Sequence, residues 1–259
     1  MTDDAAKGVR HLIAVLGGPH RAVKVPNDHL ADIWSRLSAR ESDGSGASHL
    51  CQISAEVSGT SGAGIMVLSG ELARGSLCTT DGVSAYIDDL QFTLGEGPSI
   101  DAHRDGRVVD EPDMDAPEIS RWQLLSPVAL QAGVKAMFGF PIRIGAARLG
   151  AMNLYRDSSG PLDADQYDAA LVMSEVAART MLAMQGNAPP GTVAVELETG
   201  ANFHLVVHQA AGMISVQLDI GVTEALVRLR AHAFGADRPI DEVARDIVDR
   251  HLRLADPDR

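Results

Sequence analysis

Aromatic side chains are scarce: Phe, Trp and Tyr make up only 4% of the 259 residues. A core must therefore come mainly from Val, Leu, Ile, Ala and Met. Lysine is rarer still, with Lys7, Lys24 and Lys135 against 22 bases in all, so nearly every base is Arg. Acids outnumber bases, 35 to 22, for a formal net charge of −13. Proteins that coat DNA non-specifically, or cling to an anionic membrane surface, usually carry the opposite sign. The balance argues against both roles but leaves room for RNA recognition by a small local patch. No stretch approaches 18 consecutive apolar residues, so no membrane span is expected. The opening MTDDAAKGVRHLIAVLGG lacks a basic region before a long apolar run, so no secretion signal is expected. Cys51 and Cys78 form no Cys-x-x-Cys pair, and no Asn-x-Ser/Thr occurs. These absences point to a reducing, cytoplasmic location, with both cysteines as buried, inert thiols.

Signatures of catalysis are missing too. The chain holds no Gly-x-Ser-x-Gly elbow, no Walker loop, no dinucleotide fingerprint and no His-Glu-x-x-His. His11, His20, His29, His49 and His103 are scattered without a spacing that selects a base. His204 and His208 lie one turn apart, but nothing nearby completes a metal ligand set. The expectation is a non-enzyme without catalytic residues, metal or resident cofactor, open only to an unidentified small-molecule ligand.

The composition that remains, 45% hydrophobic and 22% charged, suits a folded chain, and its length suits two domains. Residues 1–27 read as a leader. Helical periodicity begins after Asp28 with Leu30, Ile33, Trp34 and Leu37, and returns near 47–57 with Leu50, Ile53 and Val57. The period then changes. Gly64–Leu68 reads as a buried strand, with 75–79 as its partner. Helices are expected over Tyr86–Phe92, up to His103, and over Trp122–Gly133, with a brief strand at Arg107–Asp110. Ala136, Phe138, Phe140 and Ile142 alternate as a half-buried strand does, and Leu149–Tyr155 follows through the Gly145 turn. A long helix is expected over Asp163–Gln185. Tightly joined strands imply an antiparallel sheet flanked by helices, an α+β class, over residues 28–185.

Gln185-Gly-Asn-Ala-Pro-Pro-Gly191 cannot continue a helix, so residues 186–199 read as a linker. Beyond it the pattern is helical only. Phe203, Val206, Val207, Ala210, Met213, Ile214 and Leu218 form one stripe, and Leu226, Leu229 and Ala233 a second, with Thr223 as its cap. Ile240, Val243, Ala244 and Ile247 form a third after Pro239. Three helices, each with one apolar face, can close a small all-α bundle over 200–255.

The pattern VVHQAAGMISVQL, EALVRLRAHAF, RPIDEVARDIV resembles the ANTAR domain, an RNA-binding module of transcription antitermination regulators. The resemblance rests on Gln209-Ala210-x-Gly212, on Glu224-Ala225 through Leu229-Arg230, and on Val243-Ala244. Upstream, LGEGPSIDAHRDGRVV, GVKAMFGFPIRIG and LGAMNLYRDSSGPL resemble a GAF sensor domain of the actinobacterial GAF–ANTAR arrangement. The resemblance implies a GAF-type sheet followed by a three-helix ANTAR bundle. It further implies a homodimer that binds paired stem-loops of structured leader RNA and prevents termination. Ala211 stands where many such domains have Lys, which removes an expected cation. Residues 201–259 hold seven Arg, no Lys and nine acids, a formal charge of −2, so RNA binding would rest on a few aimed residues.

The candidates for RNA contact are His208, Gln209, Gly212, Arg228, Arg230 and Arg238. Each has a plain alternative. Gly212 costs about 1 kcal/mol in a helix and would suit either an approaching RNA backbone or interhelix packing. Arg228 also pairs with Glu224 at i,i+4, Arg230 can snorkel from the apolar edge, and Arg238 reads as unpaired. Tyr86, Phe92, Trp122, Phe138 and Phe140 could line a ligand pocket between sheet and helices, or could simply be core. Leu94-Gly-Glu-Gly-Pro-Ser99 could bring amides near an anion, but Glu96 would repel phosphate, and a structural turn is the stronger reading. The expected function is signal-responsive antitermination through RNA. The alternative is a non-catalytic ligand-binding or dimerising scaffold whose C-terminal helices bind protein.

Overall fold

A computed structural model describes residues 48–69, 72–116, 121–186, 205–236 and 238–254. The expected leader 1–27, the helix after Asp28, most of the linker, Phe203 and His204 lie outside these residues. The described elements run in the order α1 (Ser48–Ser58), β1 (Gly62–Ser69), β2 (Leu72–Thr79), α2 (Gly82–Leu94), α3 (Pro98–Asp105) and β3 (Val109–Glu111). There follow α4 (Leu125–Gln131), β4 (Ala136–Ile144), β5 (Ala147–Arg156) and α5 (Ala164–Gly186). The last three are α6 (Leu205–Leu218), α7 (Val222–Gly235) and α8 (Ile240–Val248). Among the described residues, no single helix is long and apolar enough to cross a membrane.

The five strands form one sheet in the order β2-β1-β5-β4-β3, with every described neighbouring pair antiparallel. Alternation along the strands splits the core into two layers. Ala63, Ile65, Phe138, Phe140, Met152 and Leu154 face α1 and α5, where they meet Leu50, Ile53, Met173 and Ala177. Met66, Met137, Ala151 and Tyr155 face α2, α3 and α4, where they meet Ile87, Phe92, Ala102, Trp122 and Leu125. That second layer is continuous with the buried residues of α6, α7 and α8.

The element at the centre of this layer is α2. Asp81, in extended backbone, accepts the Ser84 amide at 2.7 Å and starts the helix. Tyr155 Oη donates to the other oxygen of Asp81 at 3.1 Å, tying this start to the sheet. Gly95, left-handed at φ 70°, ends the helix by donating to the Gln91 carbonyl.

Cys51 of α1 and Cys78 of β2 are bonded to each other. The reading of them as two separate thiols is therefore corrected. A 27-residue separation carries no spacing signature, and only the packing of α1 on the sheet brings the two together. Disulfides are rare in cytosolic proteins, so cysteine usage no longer argues for a reducing compartment.

The three C-terminal helices bury the stripes expected of them: Val207, Ala210 and Ile214 on α6, Leu226, Leu229 and Ala233 on α7, and Ile240, Val243, Ala244 and Ile247 on α8. Two local readings change. Gly221 rather than Thr223 caps α7, without a side-chain bond. Ala211 is fully buried, so its side chain faces the helical core and not a surface lacking a cation.

Candidate functional site

On its buried side α2 carries Ser84, Asp88 and Gln91, at spacings of four and three. Under this layer a row of residues crosses the sheet in register, Val109 on β3, Gly139 on β4, Asn153 on β5 and Gly64 on β1, with Pro98 of α3 over Gly139 and Asp88 over Gly64. Asn153 thus stands between two positions that have no side chain. The Asp88 carboxylate fits over Gly64, where a Cβ would lie 2.4 Å from Asp88 Oδ2.

Asp88 is buried and accepts Ser76 Oγ at 2.6 Å. Burial pushes its carboxyl up to about 7; Ser76 and Asn153 offset part of that rise, while the charge of Asp89 adds to it. Gln91 Oε1 accepts the Ser99 amide at 2.9 Å, which fixes the start of α3 against α2. Among the described residues, Asp88 Oδ1, Gln91 Nε2, Ser99 Oγ and both polar atoms of the Asn153 amide lack a well-formed hydrogen bond, although the Asn153 amide lies near enough to Asp88 to favour its charged form. All are buried. An unsatisfied buried polar group costs about 1–3 kcal/mol, so four side chains with free capacity on one sheet face form an uncommon concentration. A small polar molecule that both donates and accepts could use that capacity. Beside them, Trp122 Nε1 donates to buried Asp101 at 3.0 Å, so the indole is fixed rather than free for a ligand.

The five aromatic candidates do not converge on one cavity. Phe92 and Trp122 lie in the layer of α2, α3 and α4. Phe138 and Phe140 lie on the opposite sheet face against α1 and α5, and Phe140 packs on Tyr167 with ring centroids 5.4 Å apart. Tyr86 is 46% exposed on the outer side of α2. Strand parity explains this: Met137 and Gly139 face α2 and α3, so their even-numbered neighbours cannot.

The Leu94–Ser99 segment is a structural turn, as the sequence favoured. Glu96 Oε1 accepts the amides of Leu124 and Leu125, each at 2.8 Å, at the start of α4.

The six RNA candidates are also dispersed. Gln209 is exposed on α6, and a Cβ on half-exposed Gly212 would meet nothing within 4 Å, so the reading of tight interhelix packing there is corrected. Leu205 and Val216, 71% and 85% exposed, extend this face. Arg228 bonds Glu224 at 3.0 Å, the i,i+4 pair. Arg238, read as unpaired, bonds Asp246 at 2.9 Å and lies 3.8 Å from Glu242, because α8 turns its acidic side toward the preceding loop. His208 and Arg230 face the α+β unit. The His208 ring meets Phe92 edge-on at 6.3 Å, and Arg230 Cζ lies 5.7 Å from the centre of the same ring. Burial lowers the Arg230 guanidinium to about 10, and its Nε has no hydrogen-bond partner among the described residues.

No family model matches the chain, and no curated protein matches it. Solved structures do. The chain is similar to the GAF domain of a phosphoenolpyruvate-protein phosphotransferase from Coxiella burnetii, at 11% identity over 62% of this chain and 98% of that one, with a TM-score of 0.47. The GAF domain of the Acinetobacter phosphoenolpyruvate-protein phosphotransferase gives 9% identity, 64% and 99% coverage and a TM-score of 0.46. A type II free methionine-R-sulfoxide reductase from Thermoplasma acidophilum gives 14%, 56%, 93% and 0.42 in the same order. The fold of the described residues is an α+β arrangement with a five-stranded antiparallel sheet.

Proposed function

We propose that the chain is a ligand-responsive regulator. Its α+β unit senses a small polar molecule, and its C-terminal helices bind structured RNA stem-loops to promote antitermination, the protein acting as a homodimer. One observation carries the sensor half: the unpartnered buried atoms of Asp88, Gln91, Ser99 and Asn153 gathered on one sheet face. A ligand that hydrogen-bonds them recovers the cost of leaving them unpaired. The RNA half rests on the sequence resemblance and on the open α6 face of Gln209 and Gly212. No group on this path needs covalent chemistry.

A second reading is favoured by the charge of the helical segment. Arg228 and Arg238 are both spent on carboxylates, and residues 201–259 carry a formal charge of −2 from seven Arg and nine acids. In that reading α6–α8 bind a protein, and the chain is a scaffold.

The deciding experiment is binding of the full chain to a two-stem-loop RNA across a salt series, with a loop-scrambled RNA and Gln209→Ala as controls. Binding that is lost with scrambled loops and weakened in the variant supports RNA recognition, and the salt slope counts the phosphates engaged. Absence of binding at low salt overturns it in favour of the scaffold.

A further inference from the structure

Phe92 is placed to report on both halves of the protein. On α2 it follows Gln91 directly and Asp88 by four residues, so the turn that carries two members of the polar cluster also carries the ring that meets His208 and Arg230. Among Arg228, Arg230 and Arg238, only Arg230 lacks a carboxylate partner among the described residues. A half-buried guanidinium that meets no carboxylate among the described residues has lost water without gaining an ion pair from them, and the face of one ring repays only part of that loss. Such a contact can be displaced by an anion. The fit is nonetheless close, since a Cβ on Gly95, at the end of α2, would lie 2.7 Å from Arg230 Nη1.

From this juxtaposition we infer that Phe92 and Gly95 form a docking seat that withholds Arg230 from a phosphate-bearing partner, and that undocking of α7 from this seat releases it. The inference rests on the RNA reading for the identity of that partner, but the seat itself does not. His208 is withheld by the same ring. The helical unit would then present its open α6 face and the exposed Arg245, Arg250 and Arg253 at all times, and add Arg230 only after undocking.

Two variants test the seat. Gly95→Asn keeps the left-handed cap, which Asn tolerates, yet places a side chain where the guanidinium lies. Phe92→Leu removes the ring and keeps an apolar residue. In the full chain, phenylglyoxal labelling of each arginine is followed by mass spectrometry, beside affinity for the two-stem-loop RNA. The expected result is that Arg230 labels several-fold more slowly than Arg228 in the parent, and accelerates to match it in both variants. RNA affinity rises at least threefold in both, and Arg230→Ala in the Gly95→Asn background cancels the rise. Labelling of Arg230 as fast as Arg228 in the parent overturns the seat. Accelerated labelling with unchanged affinity, in a parent that does bind RNA, overturns its withholding role. Accelerated labelling with no RNA bound by any form upholds the shielded Arg230 and defeats the RNA reading instead.

Discussion

Asp88 occupies the room that Gly64 leaves: a Cβ at position 64 would lie 2.4 Å from Asp88 Oδ2 and 2.8 Å from Oδ1. Gly64→Ala must therefore displace the carboxylate from Ser76, at a cost of about 1–3 kcal/mol. If the fault lies in this contact, adding Asp88→Ala should cost far less in the Gly64→Ala background than in the parent. A double-mutant cycle by chemical denaturation measures the coupling; strictly additive effects would dissociate the two residues.

The same carboxyl gives stability a pH dependence of known sign. Its native pKa, about 7, lies above the ordinary value of 3.8. Between those values the native state holds a proton that the unfolded chain releases. Stability from this group is thus present at low pH and is lost as pH rises toward and through 7, by at most about 1.4 kcal/mol per pH unit. Asp88→Asn removes that slope and still accepts from Ser76. Its stability relative to the parent should rise from pH 5 to about pH 7 and level off by pH 8, as read by urea denaturation. A difference independent of pH would show that Asp88 titrates normally.

The bond between Cys51 and Cys78 closes a loop across 27 residues and should stabilise the chain by about 3–4 kcal/mol through the entropy it removes from the unfolded state. Reduction, or the Cys51→Ala/Cys78→Ala pair, should lower the melting temperature by several degrees. Mass spectrometry after alkylation, without and with reductant, gives the bond directly. Two alkylated thiols in the unreduced protein would remove the premise.

Asp81 serves α2 twice, as the acceptor for the Ser84 amide and as the partner of Tyr155 Oη. Burial, then the Asp81 charge, pushes the Tyr155 hydroxyl up to about 12, so it stays a donor across the physiological range. Asp81→Ala should cost about 1–2 kcal/mol and Tyr155→Phe about 1 kcal/mol. The double variant should fall short of their sum, because both remove one shared bond. Thermal denaturation of the four proteins checks this.

Much of the element order was legible because it is written in periodicity. The alternation over Ala136–Ile142 and the stripes of α7 and α8 use only local spacing, and the described strands and helices follow them within a few residues, but the strand read as half-buried is buried on both faces from Ala136 to Phe140 because α3 covers its second side. The turn at Leu94–Ser99 was legible for a local reason too, since Gly95 and Gly97 both need positive φ. The candidate site was not legible. Aromatic size drew attention to Phe138 and Phe140, whereas strand parity turns both toward α1 and α5. The signal that could have found the cluster was the reverse one, a polar residue on an inward position: Asp88 in YIDDLQF, and Asn153 beside glycines on neighbouring strands. The contacts of Arg230 and His208 with Phe92 join positions more than 100 residues apart, and no periodicity encodes them.

The place of Cys78 in the sheet has a consequence for how the protein meets its own copies. β2 is an outermost strand, with β1 on one side only, and β3 at the other margin is three residues long. A long outer strand is a template on which foreign chains can add. Here the strand is fastened to the helix layer behind it through α1, which holds this margin against the rest of the sheet while the bond is intact. Reduction is therefore expected to loosen this margin before the central strands.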